Sequence, residues 1–393
     1  MSNAAAEPEP DEQAEGEARI MTGTGAIARA VRDVNVDAVA AYPITPQTEI
    51  VEGIAEYVET GELDAAFSRV ESEHSALSSV MGAAQANART FTATASQGLL
   101  YMSEMVWWTA GSRLPVVMAI ANRALGPPWN IWGSHTDALS QRDSGWIQLF
   151  ASDVQEAYDL MLAGYRIAED SDVMLPMMVN LDGFTLAHTM QPLRTVPRPA
   201  ISDYLGEPAV PHAIDVDAPR GYGAFTAGDN FWKFRRKMMD AMERVPDVTR
   251  EAFAELEDVT GREYDLVHEY RTDDADVAIV GLGTLAHEAE VAADLLREEG
   301  TAAGVVRPQL YTPFPEEEVR TAVADAEKVV VLDRSTSFGR DGIVTREVDR
   351  AIDQDAAGVI AGIGGQNVAY DDIVRIVGGA TPGETVWFGG EIE

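Results

Sequence analysis

Short apolar runs alternate with longer segments of helical periodicity along most of the chain. The apolar runs 37–41, 114–121 and 174–180 predict buried strands, because strands covered on both faces read as continuous hydrophobic stretches. Segments 24–32 and 154–167 instead space their apolar residues as an amphipathic helix does. This alternation predicts a doubly wound parallel sheet, so the fold class is α/β.

The alternation stops in the middle of the chain and then resumes. Proline and glycine accumulate from about residue 191, which predicts an irregular wrap, and a charged, helical connector is expected after it. From residue 275 onward, strand and helix patterns predict a second, smaller α/β domain. The predicted division is an acidic disordered tail, a first domain including the wrap, a connector and a second domain, at 1–18, 19–230, 231–267 and 268–393.

The chain is strongly acidic, with a formal net charge of −36 and lysine only at Lys233, Lys237 and Lys328. Such a charge repels nucleic acid and anionic membranes, so neither is expected as a partner. We favour adaptation to concentrated salt, a halophilic character, over an acidic docking surface. No apolar run is long enough for a membrane helix and no secretory signal is recognisable, so a cytoplasmic location is expected.

The chain has no cysteine. Zinc–thiolate sites and cysteine-ligated iron–sulfur clusters are therefore excluded within this chain. The six histidines show no metal-binding spacing such as H-E-x-x-H, so no metal site is predicted. Any electron transfer must run through cofactors on another chain.

Three short pieces between 37 and 123 carry the candidate chemistry, each where a predicted strand ends. In an open parallel sheet, ligands bind in the crevice beyond the carboxyl ends of the strands. Thr45 followed by Pro46 fits a helix N-cap and first helical position, and a hydroxyl there would also suit a substrate carboxylate. Glu73 lies in the first turn of the next predicted helix. Glu71, two residues earlier, is a competing candidate for the functional carboxylate, and the spacing does not choose between them.

Arg123 ends an apolar strand. It would serve equally well to pair with a surface carboxylate or to clamp an oxyacid with two hydrogen bonds. A separate motif, VGLGTLA at 280–286, matches the dinucleotide fingerprint through Gly281 and Gly283. The following strand ends in Arg307 rather than an acid, which argues against NAD but would suit NADP.

Six stretches together resemble the alpha subunit of pyruvate:ferredoxin oxidoreductase and related 2-oxoacid:ferredoxin oxidoreductases. They are YPITPQTE (42–49), SEHSALSSVMGAA (72–84), TFTATASQGLLYMSEMVWWTAG (90–111), RLPVVMAIANRALGPPWNIWGSHTDALSQRDSGWIQLF (113–150), GVVRPQLYTPFP (304–315) and VVVLDRSTSFGRDG (329–342). The resemblance covers roughly residues 19–393. It implies a thiamine-diphosphate-binding pyrimidine domain followed by a transketolase-C-like domain.

The resemblance also implies roles for individual residues. Glu73 would hold N1′ of the aminopyrimidine and act as the catalytic acid–base group, and Pro43 and Ile44 would line the same cofactor pocket. Thr45 and Arg123 would contact the carboxylate and carbonyl end of the substrate. GSHTD at 133–137 departs from the acidic G-D-H-S-D pattern of the family.

The motifs that the chain lacks imply partners. Without a G-D-G…N motif it cannot hold magnesium diphosphate in the family manner, and without cysteine it holds no cluster. The resemblance therefore implies a beta subunit that supplies the diphosphate and magnesium site, and gamma and cluster-bearing subunits that pass electrons to ferredoxin. The implied substrates are a 2-oxoacid, foremost pyruvate, and coenzyme A.

Other readings remain open at this point. Branched-chain 2-oxoacids or 2-oxoglutarate are alternative substrates. The chain would also fit the subunit of an E1-type dehydrogenase or a transketolase relative. A nucleotide-binding module at Gly281 and Gly283, and a structural or regulatory subunit that has lost its chemistry, are the non-enzymatic alternatives.

Overall fold

A computed structural model describes residues 16–392, whose strands form two large, mostly parallel sheets with helices on both faces and one two-stranded antiparallel ribbon. The strands are β1 Ala18–Thr22, β2 Ala38–Ala41, β3 Ala66–Arg69, β4 Thr90–Thr94, β5 Val117–Asn122, β6 Ile147–Phe150, β7 Met177–Asp182, β8 Met190–Arg194, β9 Val267–Tyr270, β10 Val277–Gly281, β11 Ala303–Pro308, β12 Leu310–Thr312, β13 Lys328–Asp333, β14 Ala357–Ile360 and β15 Thr385–Trp387. The α-helices are α1 Gly23–Val34, α2 Thr48–Glu59, α3 Glu73–Gln85, α4 Ser96–Tyr101, α5 Ser103–Gly111, α6 Thr136–Leu139, α7 Val154–Ala168, α8 Arg198–Leu205, α9 Gly228–Met242, α10 Val245–Thr260, α11 Gly283–Glu298, α12 Glu316–Ala322, α13 Ile343–Ala351 and α14 Tyr370–Gly379.

The first sheet has seven strands in the order β12-β6-β7-β5-β4-β2-β3. All neighbouring pairs are parallel except β12 with β6. The chain passes from β2 outward to β3 and then returns to β4 on the other side of β2. This reversal opens a crevice at the carboxyl ends of β2 and β4, the usual position of a ligand site in such sheets.

Strand β5 shows why the apolar runs were continuous. Val117 and Ala119 belong to one core cluster, and Met118 and Ile120 belong to the cluster on the opposite face of the sheet. A strand buried on both faces has no polar alternation. The doubly wound parallel architecture predicted from the sequence is confirmed.

The second sheet has six strands in the order β15-β14-β13-β10-β11-β9, with only β9 antiparallel to its neighbour. Strand β12 follows β11 in sequence but pairs with β6 of the first sheet, where Leu310 lies opposite Leu149. The second unit therefore contributes an edge strand to the first. The two units share backbone hydrogen bonds, such as the one from the Phe150 N–H to the Gln309 carbonyl.

The expected N-cap at Thr45 is wrong. Helix α2 begins at Thr48, and the Thr45–Pro46 peptide bond is cis. The buried Gln47 side chain organises the preceding loop instead, because its Nε2 donates to the Ala93 carbonyl at 2.6 Å. Thr45 is consequently a loop residue and does not cap helix α2.

The segment after residue 191 is more regular than its proline and glycine content suggested. Strand β8 pairs antiparallel with β1, and α8 follows at Arg198–Leu205. Residues 1–15 of the predicted acidic tail lie outside the described residues, whereas Ala18, the last residue of that tail, begins β1. Within 16–392, no helix is both long and apolar enough to cross a membrane.

Candidate functional site

The candidate residues converge on the carboxyl ends of β2, β4 and β5, which are neighbours in the first sheet. Pro43, Ile44 and Thr45 lie in the loop that follows β2. Arg123 directly follows β5, and Glu73 opens α3 after β3. The ends of the apolar runs in the sequence therefore predicted correctly that these residues lie at the carboxyl ends of the strands.

Glu73 and Glu71 differ in their surroundings. Helix α3 starts where the Ser72 hydroxyl accepts a hydrogen bond from the Ser75 N–H at 3.2 Å, so Glu73 lies in the first turn. Glu73 is only 7% exposed. Glu71 is exposed and accepts a hydrogen bond from the Ser75 hydroxyl at 2.5 Å. The structure thus selects Glu73 as the buried carboxylate of this edge.

Helix α4 makes room for the Glu73 carboxylate at Gly98. A Cβ atom at Gly98 would lie 2.7 Å from Glu73 Oε1 and 2.5 Å from Thr94 Oγ1, both far inside contact distance. Among residues 16–392, no donor forms a hydrogen bond with the Glu73 carboxylate, and Thr94 Oγ1 is buried without a hydrogen-bond partner. A buried carboxylate normally has donors, so this one is available for a ligand.

Arg123 is 5% exposed and is held from two sides. Its Nη1 donates to the Thr45 carbonyl at 2.7 Å, and its Nη2 lies 3.3 Å from Gln97 Oε1. Its Nε is buried and has no hydrogen-bond partner in the part of the chain described. Burial lowers the pKa of Arg123, and the charges of Asp137 and Glu73 oppose that shift.

The contacts of Arg123 and Glu73 meet on consecutive residues of α4. Gln97 contacts Arg123, and Gly98 packs against Glu73. A carboxylate and a guanidinium therefore face the same helix start, and each retains unused hydrogen-bonding capacity. The carboxylate suits a polar ring nitrogen, and the guanidinium suits the carboxylate of a ligand bound next to it.

Asp137 is a positioning residue that sequence reasoning missed. Its buried carboxylate accepts hydrogen bonds from the backbone N–H groups of Ser96 and Arg123, both at 2.9 Å, and from Asn122 Nδ2 at 3.0 Å. Burial raises its pKa, while these donors oppose the shift. Asp137 thereby ties the end of β4 to the end of β5. Its place in GSHTD, inside the motif that resembles the family, was the only signal available.

The remaining predicted residues lie at the rim. Pro43 and Thr45 are exposed and Ile44 is half-buried. The Thr45 carbonyl, rather than its hydroxyl, contacts Arg123. The Ile44 N–H faces Gln47 Oε1 at 3.4 Å. The structure brings Thr45 and Arg123 together and places Pro43 and Ile44 in the same loop as Thr45.

A buried network joins the two units next to this edge. Asp182, at the end of β7, accepts hydrogen bonds from His135 Nε2 at 2.7 Å and Arg334 Nη1 at 2.5 Å through Oδ1. Its Oδ2 accepts from the backbone N–H and hydroxyl of Thr284, both at 2.8 Å. Ser134, whose role was open, donates to the Arg334 carbonyl. GSHTD therefore contributes to domain docking.

The same network accounts for the glycine motif at the start of α11. Gly283 has φ +56°, and a Cβ there would lie 2.4 Å from Asp182 Oδ2. Asp182 thus occupies the anion position at this helix start, where a dinucleotide would place its diphosphate. Arg307 is likewise engaged, because its two terminal nitrogens bind the buried Glu156 carboxylate at 2.8 and 2.9 Å. The nucleotide-binding alternative is wrong, since its anion position and its arginine are both occupied.

Sequence comparison places the two units in families that match their folds. Residues 29–254 match the family described as pyruvate flavodoxin/ferredoxin oxidoreductase, thiamine diphosphate-binding. Residues 275–373 match the core domain II of pyruvate:ferredoxin oxidoreductase.

Individual relatives span nearly the whole chain. The pyruvate synthase subunit PorA of Methanocaldococcus jannaschii is 42% identical over 95% of this chain and 98% of its own length. The ketoisovalerate oxidoreductase subunit VorA of Pyrococcus abyssi is 38% identical over 91% of this chain and 92% of its own. A solved 2-oxoglutarate:ferredoxin oxidoreductase from Magnetococcus marinus shares the fold, with a TM-score of 0.74 and 22% identity. The alignment covers 92% of this chain and 65% of that chain.

Proposed function

Because this chain belongs to the pyruvate flavodoxin/ferredoxin oxidoreductase family, we propose that it is the alpha subunit of a pyruvate:ferredoxin oxidoreductase. The reaction would convert pyruvate, coenzyme A and two oxidised ferredoxins into acetyl-CoA, CO2, a proton and two reduced ferredoxins. The single observation that carries the residue assignment is the convergence of buried Glu73 and Arg123 on the start of α4.

The residues fit half of a thiamine diphosphate site. Glu73 is buried and receives no hydrogen bond from residues 16–392, so it suits the N1′ nitrogen of an aminopyrimidine, with which it would share a proton. Gly98 leaves its carboxylate uncovered, and the loop containing Pro43 and Ile44 would flank the ring. When bound, thiamine diphosphate supplies the nucleophilic carbon that attacks the 2-oxo group and takes up the electron pair left by CO2.

Arg123 would hold the substrate. Its unpaired Nε and a neighbouring terminal nitrogen offer the parallel donors that a carboxylate prefers. The Thr45 carbonyl fixes the orientation of the guanidinium from the other side, at 2.7 Å. Such fixed placement would keep the 2-oxo carbon in line for attack. Part of the binding energy would then lower the activation barrier of the reaction.

The other half of the site would come from partner chains. A beta subunit would hold magnesium and the diphosphate, and cluster-bearing subunits would take the electrons one at a time, because this chain has no cysteine for iron–sulfur ligation. The isolated chain is consequently expected to have no activity.

Reconstitution tests the function. The co-expressed complex should reduce ferredoxin or viologen only when pyruvate and coenzyme A are both present, and the isolated chain should not turn over. Parallel assays with ketoisovalerate and 2-oxoglutarate test the branched-chain and longer substrates. A higher kcat/KM for either of these would reject pyruvate, and turnover by the isolated chain would reject the shared site.

Replacing Arg123 with lysine should raise the KM for pyruvate by roughly ten- to a hundredfold, with a smaller effect on kcat. Hydrogen bonds to charged groups contribute about 1.5–3 kcal/mol, and each ~1.4 kcal/mol corresponds to a tenfold change. Steady-state kinetics of the complex measures kcat and the KM for pyruvate separately. Arg113→Lys is the matched control, since Arg113 precedes the other end of β5 and binds backbone carbonyls there. Equal KM values for the Arg123 variant and the wild type would contradict the assignment.

A further inference from the structure

Strand β4 carries three buried threonines on one face of the first sheet. Thr90, Thr92 and Thr94 alternate with Phe91 and Ala93, which belong to the core cluster on the opposite face. All three threonines are fully buried, and within residues 16–392 none of their hydroxyl oxygens has a hydrogen-bond partner. A buried hydroxyl without a partner costs free energy, so the position of each one matters.

Thr92 has the surroundings of an ordinary core residue. It lies beside Met118 of β5, which belongs to the same apolar cluster as Leu77 and Val80 of helix α3. A valine of nearly the same shape would suit such surroundings without burying an unpaired donor. Threonine at this position is explained by the preference of strands for β-branched side chains.

Thr94 differs from Thr92 because it borders Glu73. Outside helix α4 itself, the atoms nearest to the place where a Cβ at Gly98 would stand are Thr94 Oγ1 at 2.5 Å, Glu73 Oε1 at 2.7 Å and Glu73 Cγ at 3.0 Å. The unpaired hydroxyl and the unpaired carboxylate therefore flank one small space. That space exists because residue 98 has no side chain.

The two groups differ in their access to solvent. The carboxylate oxygens of Glu73 are unpaired but not enclosed, whereas Thr94 Oγ1 is both unpaired and enclosed. Solvent can therefore satisfy the carboxylate while the crevice is open. A ligand that covers Glu73 removes this solvent, and a buried carboxylate is stable only when hydrogen-bond donors surround it.

The Thr94 hydroxyl is placed to become such a donor. Its hydrogen turns freely about the C–O bond, and the terminal torsion of a glutamate side chain is soft. The hydroxyl and the carboxylate can consequently meet beside Gly98 without a change in the backbone. Because Thr94 Oγ1 is enclosed, a ligand in the crevice reaches Glu73 and not Thr94.

We propose that Thr94 is a positioning residue for Glu73. When an aminopyrimidine covers the carboxylate, the Thr94 hydroxyl donates a hydrogen bond to one carboxylate oxygen and leaves the other for N1′. This inference rests on the proposed function, because it is the aminopyrimidine of thiamine diphosphate that covers Glu73. It adds a residue that touches neither cofactor nor substrate and acts only through Glu73.

The assembled complex with Thr94→Val tests the proposal, since valine keeps the shape of the side chain and removes the hydroxyl. We expect kcat to fall about ten- to a hundredfold, as for a lost hydrogen bond to a charged group, while the KM for pyruvate stays within about twofold. Calorimetry on the cofactor-free complex should show a Kd for thiamine diphosphate that is about fivefold higher. Thr94→Ser, which keeps the hydroxyl, should bring kcat and Kd back to within about threefold of the wild type.

Thr92→Val is the matched control, because it removes an equally buried and unpaired hydroxyl from the same face of the same strand. It should leave kcat and the Kd for thiamine diphosphate unchanged. In the isolated chain neither valine should lower the melting temperature, because neither hydroxyl has a partner there. A melting temperature that Thr94→Val lowered would mean that the hydroxyl serves the fold, and would overturn the proposal.

Three other results would also overturn it. These are wild-type kcat and Kd in Thr94→Val, an equal loss in Thr92→Val, and no recovery in Thr94→Ser. Failure of the proposed function is read separately, from a wild-type complex that does not oxidise pyruvate. If that complex oxidises a different 2-oxoacid, the same comparison of variants with that acid still decides the role of Thr94.

Discussion

Changing Glu73 to glutamine in the assembled complex is expected to lower kcat about 10²- to 10⁴-fold, the usual contribution of a positioned acid–base group. Glutamine keeps the shape of the side chain and its hydrogen-bonding ability, but it cannot share a proton with a ring nitrogen. The space beside Gly98 is small, because a Cβ there would lie only 2.7 Å from Glu73 Oε1. The rate of pyruvate-dependent viologen reduction at saturating substrate measures the effect.

Glu71→Gln provides the control two residues away. Glu71 is exposed and satisfied by the Ser75 hydroxyl, so its replacement should leave kcat near the wild-type value. If Glu73→Gln also turned over at the wild-type rate, Glu73 would have no part in the mechanism. That result would favour the alternative of a structural or regulatory subunit that has lost its chemistry.

Replacing Asp182 with asparagine should destabilise the chain by about 3–5 kcal/mol, because removing one partner of a buried ion pair leaves the other charge uncompensated. The affected charge is that of Arg334, and the hydrogen bonds of His135 and Thr284 weaken with it. Urea unfolding of the full chain measures the loss. The control, Asp172→Asn, breaks the exposed pair with Arg244 and should cost under about 1 kcal/mol.

The contribution of Asp182 should also depend on pH. Burial alone would raise its pKa, but the charges of Arg334 and His135 and the hydrogen bond from Thr284 lower the pKa well below its usual range. A depressed folded-state pKa means that the stabilisation is complete above the unfolded value of about 3.9 and declines as the pH falls below it. The stability difference between wild type and Asp182→Asn should therefore shrink below about pH 4. A difference that stayed constant down to low pH would contradict the network.

The alternation of apolar runs predicted the central parallel strands of both sheets, since strands buried on two faces leave a plain signal, but it missed β9 and β15 at the two edges of the second sheet. It did not predict that β12 would leave the second unit and pair with β6. A strand of three residues is too short for its sequence to indicate which strand it pairs with. Within the wrap expected from residue 191, strand β8 and helix α8 were missed, whereas residues 206–227 contain no helix or strand. Strand β8 and β1 are short and half-exposed, so their pairing has little apolar signature.

In the candidate site, too, features with a local sequence signal were predicted, and features that depend on distant contacts were not. The proximity of Arg123 and the loop at Thr45 was predicted because the strand ends of a parallel sheet lie together, whereas the choice of Glu73 over Glu71 came from the resemblance to the family. Asp137 and Asp182 were not predicted, because the sequence does not distinguish a buried aspartate from an exposed one. The donors that surround each carboxylate are brought together only by the fold. The N-cap at Thr45 failed because the Gln47 side chain, which the local pattern does not weigh, organises the loop.

Two wider expectations are still predictions. Adaptation to concentrated salt rests on the net charge of −36 alone, and a melting temperature that rises with potassium chloride would support it. A melting temperature that falls would reject it. The cytoplasmic location is likewise still a prediction.

The most direct test of the shared pocket is a structure of the assembled complex with thiamine diphosphate and a pyruvate analogue. We expect the Glu73 carboxylate to lie within hydrogen-bond distance of the aminopyrimidine N1′ and Arg123 to contact the analogue's carboxylate. Magnesium and the diphosphate should be held by another chain. An aminopyrimidine bound away from Glu73, or a diphosphate held by this chain alone, would contradict it.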